Sequence, residues 1–141
     1  MKIRDILLQK KGGAISVSPM APLTVAIESL VDHHCGSLVV MQSEQMVGII
    51  TERDILRAEA TTERSLEVLV VEDVMTPHPH TISPEDEVRD SLAVMAENGF
   101  RHLPVVDAGT VVGVVSILDL VTADNEILKS KYEQITHEKL F

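Results

Sequence analysis

Two short stretches place a hydroxyl and a carboxylate three residues apart: Gly48-Ile49-Ile50-Thr51-Glu52-Arg53-Asp54 and Gly113-Val114-Val115-Ser116-Ile117-Leu118-Asp119. Each reads as a buried strand running into a helix, with the hydroxyl at the N-cap and the Asp in the first turn. Such a junction can hold a polar ligand, because the first backbone N–H groups of a helix lack partners within it. An ionised carboxylate offers two acceptor oxygens and no donor, which suits the vicinal hydroxyls of a ribose. Asp54 and Asp119 are therefore the candidate ribose binders, with Thr51 and Ser116 as donors to ribose or phosphate. Gly48 and Gly113 are expected to let backbone come close at the strand end. The same spacing is nearly that of a capping box, in which the acid serves its own helix. Two copies in equal context favour a ligand site, with capping as a second role.

The elements around these junctions repeat. Leu23, Ala26, Ile27 and Leu30 fall on one helical face, and Val88, Ser91, Leu92 and Met95 repeat it. Leu38-Val39-Val40-Met41 is a strand, matched by Leu103-Pro104-Val105-Val106. Met46 to Ile50 returns as its hairpin partner after Ser43-Glu44-Gln45, and Val111-Val112-Gly113 repeats Met46-Val47-Gly48. Ser16-Val17 and Thr81-Ile82 are brief first strands, each followed by Ser-Pro. Every pair is offset by 65 residues without a gap, which marks an internal duplication. The predicted class is α/β (α+β): two β-α-β-β-α repeats packed sheet to sheet with pseudo-twofold symmetry. A unit of that size is marginal alone, and pairing covers its open face and edge.

The expected divisions are 1–62 for the first repeat with an N-terminal helix over Lys2–Lys11, 63–122 for the second with its connecting segment, and 123–141 for a C-terminal helical tail. Within the connection Val68 to Val71 is expected to pack, Val74-Met75 corresponds to Ile6-Leu7, and Pro77-His78-Pro79 is expected to turn. Each junction should then lie at a cleft shared by the copies, giving two sites.

Composition narrows the function classes. Of 141 residues 45% are hydrophobic and 2% aromatic, so the core is built from aliphatics and an aromatic platform for stacked bases is not expected. The net charge of −10 without a basic face disfavours nucleic acid as a partner. An anionic ligand would need a local positive pocket. One cysteine, Cys35, fits a reducing compartment as a small buried hydrophobe. The charged N-terminus is not expected to be a signal peptide, no apolar run suggests a membrane span, and a cytoplasmic location is expected. His33-His34-Cys35 and His78-Pro79-His80 are not expected to bind metal, since adjacent histidines on a helix point apart. Cys35 beside His34 lacks an orienting third group, so catalysis is not expected.

With Val74-Met75-Thr76-Pro77, Arg101-His102-Leu103-Pro104-Val105-Val106-Asp107 and the two junctions in hand, the duplicated unit resembles the cystathionine-β-synthase (CBS) domain. The pair is similar to a Bateman module, over nearly the whole chain except the tail. The resemblance implies a regulatory module for adenosyl ligands: AMP, ADP or ATP first, with S-adenosylmethionine or NAD(H) as further members of the class. It also implies a homodimer and a regulated partner of unknown identity. A ligand-free scaffold that mediates assembly is the alternative. By the same resemblance Ser16, Val17, Thr81 and Ile82 contact adenine. Arg101 and His102 then lie at the phosphate, where Arg supplies a planar fork and His responds to pH, and Pro104 is a further ligand contact. Gly36 and Ser37 stand at the equivalent positions of the first copy, so the sites are expected to be unequal. Arg101 and His102 are expected to strengthen the site of Asp119, and Arg53 to add charge at its own cleft.

Overall fold

A computed structural model describes residues 1–10 and 13–125. The predicted tail falls outside it from residue 126 on. Helix α1 (Ile3–Gln9) is followed by β1 (Ser16–Val17), α2 (Leu23–Asp32), β2 (Ser37–Gln42), β3 (Gln45–Thr51) and α3 (Glu52–Thr61). A short 3-10 turn (Leu66–Val68), α4 (Val71–Val74) and β4 (Thr76–Pro77) connect the copies. The second copy supplies α5 (Val88–Asn98), β5 (His102–Asp107), β6 (Thr110–Ser116) and α6 (Ile117–Asp124).

Both copies turn their hairpins on two residues with positive φ, Ser43-Glu44 and Ala108-Gly109. This turn geometry matches the twist of paired strands and fixes their register. Val40 pairs with Gly48, and Val105 with Gly113, each pair followed by the same register shift. The first sheet has the order β1-β2-β3-β4, with β1 parallel to β2. Three expectations need correction here, the first being that Val68, expected to pack with Leu69 to Val71, is exposed at 64%. Pro77 belongs to an edge strand rather than a turn, pairing with Gly48, and the chain turns one residue later at His78 (φ 46°). An edge position tolerates a residue without an N–H. The first strand of the second copy shrinks to a single parallel bridge, Ile82 to Val105.

Each sheet has its own apolar core, and each core borrows the segment that precedes the other copy. Ile3 and Ile6 of α1 are buried with Val88, Met95, Leu103, Val115 and Leu120 of the second copy. Leu69 and Val71 of the connection are buried with Leu23, Leu38, Val40 and Ile50 of the first. Fully burying such side chains stabilises by about 1.5–3 kcal/mol each. The docking bonds repeat as well. Ile3 N–H donates to Asp86 O and Val71 N–H to Ala21 O, both at 2.9 Å. The donors of these bonds are 68 residues apart, as are Val74-Met75 and Ile6-Leu7, while the acceptors keep the offset of 65, so the stretch before β1 is three residues longer than its counterpart. The borrowed segments also explain the two motif glycines. A Cβ on Gly48 would lie 2.6 Å from Met75 Sδ and 2.9 Å from Thr76 O, and one on Gly113 would lie 2.7 Å from Leu7 Cδ2. The close approach they permit is therefore to the protein's own chain.

Candidate functional site

Both strand-to-helix junctions form as the spacing predicts, and both close a capping box. Thr51 N–H donates to Asp54 Oδ2 (3.0 Å), and Asp54 N–H to Thr51 Oγ1 (3.2 Å). Ser116 N–H donates to Asp119 Oδ2 (2.8 Å), and Asp119 N–H to Ser116 Oγ (3.1 Å). The capping reading thus holds at each copy, and the remaining valence of each acid is where the copies part. Asp54 is buried at 8% exposure, with its Oδ2 also accepting from the Thr51 hydroxyl (3.1 Å) and its Oδ1 from the Thr76 hydroxyl (3.1 Å). Asp119 takes a charged partner instead: Lys10 Nζ lies 2.8 Å from Oδ2 and also donates to Val114 O at 2.9 Å. Burial works to raise the Asp119 pKa, but the bonds from Lys10 and Ser116 overcome it, and the carboxyl is held below its ordinary value.

Two clefts of similar size contain these acids, about 610 Å³ for the first and 580 Å³ for the second. Each is a hybrid, with the junction of one copy facing the strand entrances of the other. In the first, Thr51, Arg53, Asp54 and Arg57 face His78, His80, Phe100, Arg101 and His102. In the second, Ser116 and Asp119 face Ile15, His34, Cys35 and Ser37, with Lys10 at the rim. Arg101 therefore joins Asp54, not Asp119 as expected from its place in the second copy. His102 lines both clefts. Burial, the largest influence, lowers the His102 pKa, aided by Lys10 and Arg101 and opposed by Glu52 and Asp119. Arg53 spans the first cleft, donating from Nη1 to Gly99 O (3.0 Å) at the end of α5.

Five expected ligand contacts lie outside the cleft walls. Ser16 and Val17 pair with Val39 and Val40, and the residue before them, Ile15, lines the second cleft. Ile82 is buried in the second core, donating to Pro104 O (3.0 Å) and accepting from Val106 N–H (2.8 Å). Those ladder bonds fix Pro104 and Ile82 within the sheet. Thr81 is exposed beside them, and His80 takes the cleft position instead. Residues not singled out from the sequence complete the first cleft. Arg57 follows Arg53 by one helical turn, a spacing that puts two charges on one face. Phe100 and His80 bring their rings together at 6.1 Å, an aromatic pair where only aliphatics were expected. Thr76 and Lys10 carried no local signal, since their contacts to the acids span 22 and 109 residues.

The CBS domain model matches residues 3–61 and 71–126. The chain belongs to the CBS domain family. A relative, an uncharacterized 17.7 kDa protein of Acidianus ambivalens, is 40% identical over 76% of this chain. The match spans 65% of that protein's length. Among solved structures, the CBS domain pair of protein MJ0100 in complex with 5′-methylthioadenosine and S-adenosyl-L-methionine superposes with a TM-score of 0.77. It is 26% identical, covering 89% of this chain and 97% of that one. CBSX2 in complex with AMP gives a TM-score of 0.75 at 26% identity, with the same coverage. These two CBS proteins are in complex with adenosyl compounds, and the α+β fold of two repeats is shared with them. Among the described residues no helix is long and apolar enough to cross a membrane.

Proposed function

We propose that the chain is a regulatory module that binds an adenosyl nucleotide between its two CBS repeats and passes occupancy to a partner protein. The observation that carries this reading is the first cleft, where Arg53, Arg57 and Arg101 converge with Asp54 in an opening of about 610 Å³. That volume lies in the usual range of small-molecule sites. Three guanidinium groups against two carboxylates, Glu52 and Asp54, make a locally positive pocket on a chain of net charge −10. A phosphate-bearing ligand suits it: AMP, ADP or ATP ahead of S-adenosylmethionine or NAD(H). Asp54 would take the ribose diol as the Thr51 and Thr76 hydroxyls rotate away, and the arginines would take phosphate. Phe100 and His80 offer a flat side to the base. The adenosyl ligands of the two similar CBS pairs support the ligand class.

A ligand that touches both copies stabilises one relative arrangement of them, and a partner sensitive to that arrangement reads the signal. Leu56, Ile117, Leu118 and Val121 are exposed on α3 and α6, which supports a homodimer through these helices. The role proposed is binding and regulation, in the cytoplasm, without catalysis. A ligand-free scaffold is the second reading, favoured by the capping bonds that engage both acids. Thermal unfolding with AMP, ADP, ATP, S-adenosylmethionine and NADH separates the two. Ligand at 100 times its Kd adds about 2.7 kcal/mol. For a chain of this size that is a rise of roughly 5–10 °C in Tm. Flat melting curves across the set leave the scaffold.

A further inference from the structure

We infer that Lys10 is a built-in competitor for the second cleft, holding Asp119 so that a ribose diol is refused there while the first cleft stays open. The inference rests on the nucleotide reading for the class of ligand, and on the Lys10 contacts for the rest.

Space does not distinguish the clefts, whose volumes differ by little. The difference lies in what already occupies each acid. Asp119 Oδ2 receives Ser116 N–H and Lys10 Nζ, and Asp54 Oδ2 is as fully engaged by the Thr51 N–H and hydroxyl, so what separates the two acids is the charge on the partner and not the number of donors. The ammonium is anchored a second time, on Val114 O. A diol must displace a charge-assisted bond to grip both carboxylate oxygens, and such bonds are about twice as strong as neutral ones. Among the described residues the donors to Asp54 are Thr51 and Thr76, both neutral. Their hydroxyl groups can turn toward an incoming ligand and still bond, an option the ammonium lacks. With the 68-residue offset, His78 stands where Lys10 does. The stretch of sequence between α1 and β1, in which Lys10 falls, is three residues longer than its counterpart in the second copy.

The test is equilibrium binding of adenosine, which has the diol and base but no phosphate for Lys10 to attract. Wild-type chain, Lys10→Met, Lys10→Arg, and Lys10→Met combined with Asp119→Asn are compared, with AMP titrated into each in parallel. Lys10→Met is expected to gain one adenosine equivalent per chain, at an affinity at least tenfold above that of the second cleft in wild type. Lys10→Arg should behave as wild type, and Asp119→Asn should erase the gain. An unchanged adenosine stoichiometry in Lys10→Met overturns the inference, as does a gain that survives Asp119→Asn. AMP reports on the first cleft separately. If AMP fails to bind wild type while Lys10→Met still gains adenosine, the reading of the first cleft is wrong and the role of Lys10 stands.

Discussion

The two clefts share a backbone plan and differ in chemistry. Each has a hydroxyl N-cap, an acid in the first helical turn, and an opposing wall taken from the other copy. The first gathers Arg53, Arg57, Arg101 and the Phe100–His80 pair, while the second has Gly36, Ser37 and Cys35 opposite and a lysine on its acid. Both junctions keep the capping chemistry, and in the proposed reading the first adds a ligand chemistry to it. The cap serves folding in both copies, since loss of the side chain at an N-cap costs about 1 kcal/mol wherever it occurs.

The sharpest way to break this comparison is to remove one acid at a time. Asp54→Asn is expected to abolish nearly all of the ~2.7 kcal/mol that saturating AMP confers, whereas Asp119→Asn should leave the AMP-induced rise in Tm intact. The reverse outcome in differential scanning would exchange the roles assigned to the clefts. Next in size is Arg101→Ala. Losing a hydrogen bond to a charged group costs about 1.5–3 kcal/mol, so calorimetry should show AMP affinity falling by roughly tenfold to a hundredfold. Adenosine affinity should be nearly unchanged, and an equal loss for both ligands would place Arg101 away from the phosphate.

Two further comparisons concern folding. Gly48→Ala forces a methyl group against backbone at Thr76 O, and overpacking of this kind costs about 1–3 kcal/mol. Gly113→Ala meets only the end of the flexible Leu7 side chain, so urea unfolding should show a loss below about 1 kcal/mol. Equal losses would contradict the packing difference between the borrowed segments. The smallest effect is the pH dependence of His102. Burial holds its folded pKa below the ordinary 6.5, so the unfolded chain binds the extra proton first. Stability is therefore expected to fall as pH drops below about 6.5, until the folded His102 also protonates. His102→Gln should flatten that slope, measured by urea midpoints across the window. Glu52 and Asp119 on one side, and Lys10 and Arg101 on the other, modulate its extent.

Much of the fold was legible because its signals are local. The apolar runs Leu38–Met41 and Met46–Ile50, the hydroxyl-to-Asp spacing and the constant 65-residue offset are visible without knowing any contact. The site was legible only in part. The offset reveals which residues are equivalent, but not which ones meet. Arg101 reads as a neighbour of Asp119 because both belong to the second copy, yet each cleft joins the helix start of one copy to the strand entrance of the other. The β-edge role of Pro77 was hidden for a similar reason, since it depends on Gly48 accepting a distant strand. Ser16, Val17, Thr81 and Ile82 are strand residues by pattern; in the structure Ser16 and Val17 form β1 and Ile82 a single bridge, and the clefts are lined by the residues just before each pair. Lys10 lies 109 residues from its acid, and nothing in a single sequence links them.

A crystal structure of the chain grown with AMP tests the central claim most directly. The account predicts nucleotide density in the first cleft, with the ribose hydroxyls on Asp54 and the phosphate among Arg53, Arg57 and Arg101. Density on Asp119 with Lys10 displaced, or an AMP-saturated crystal with the first cleft holding only solvent, would contradict it.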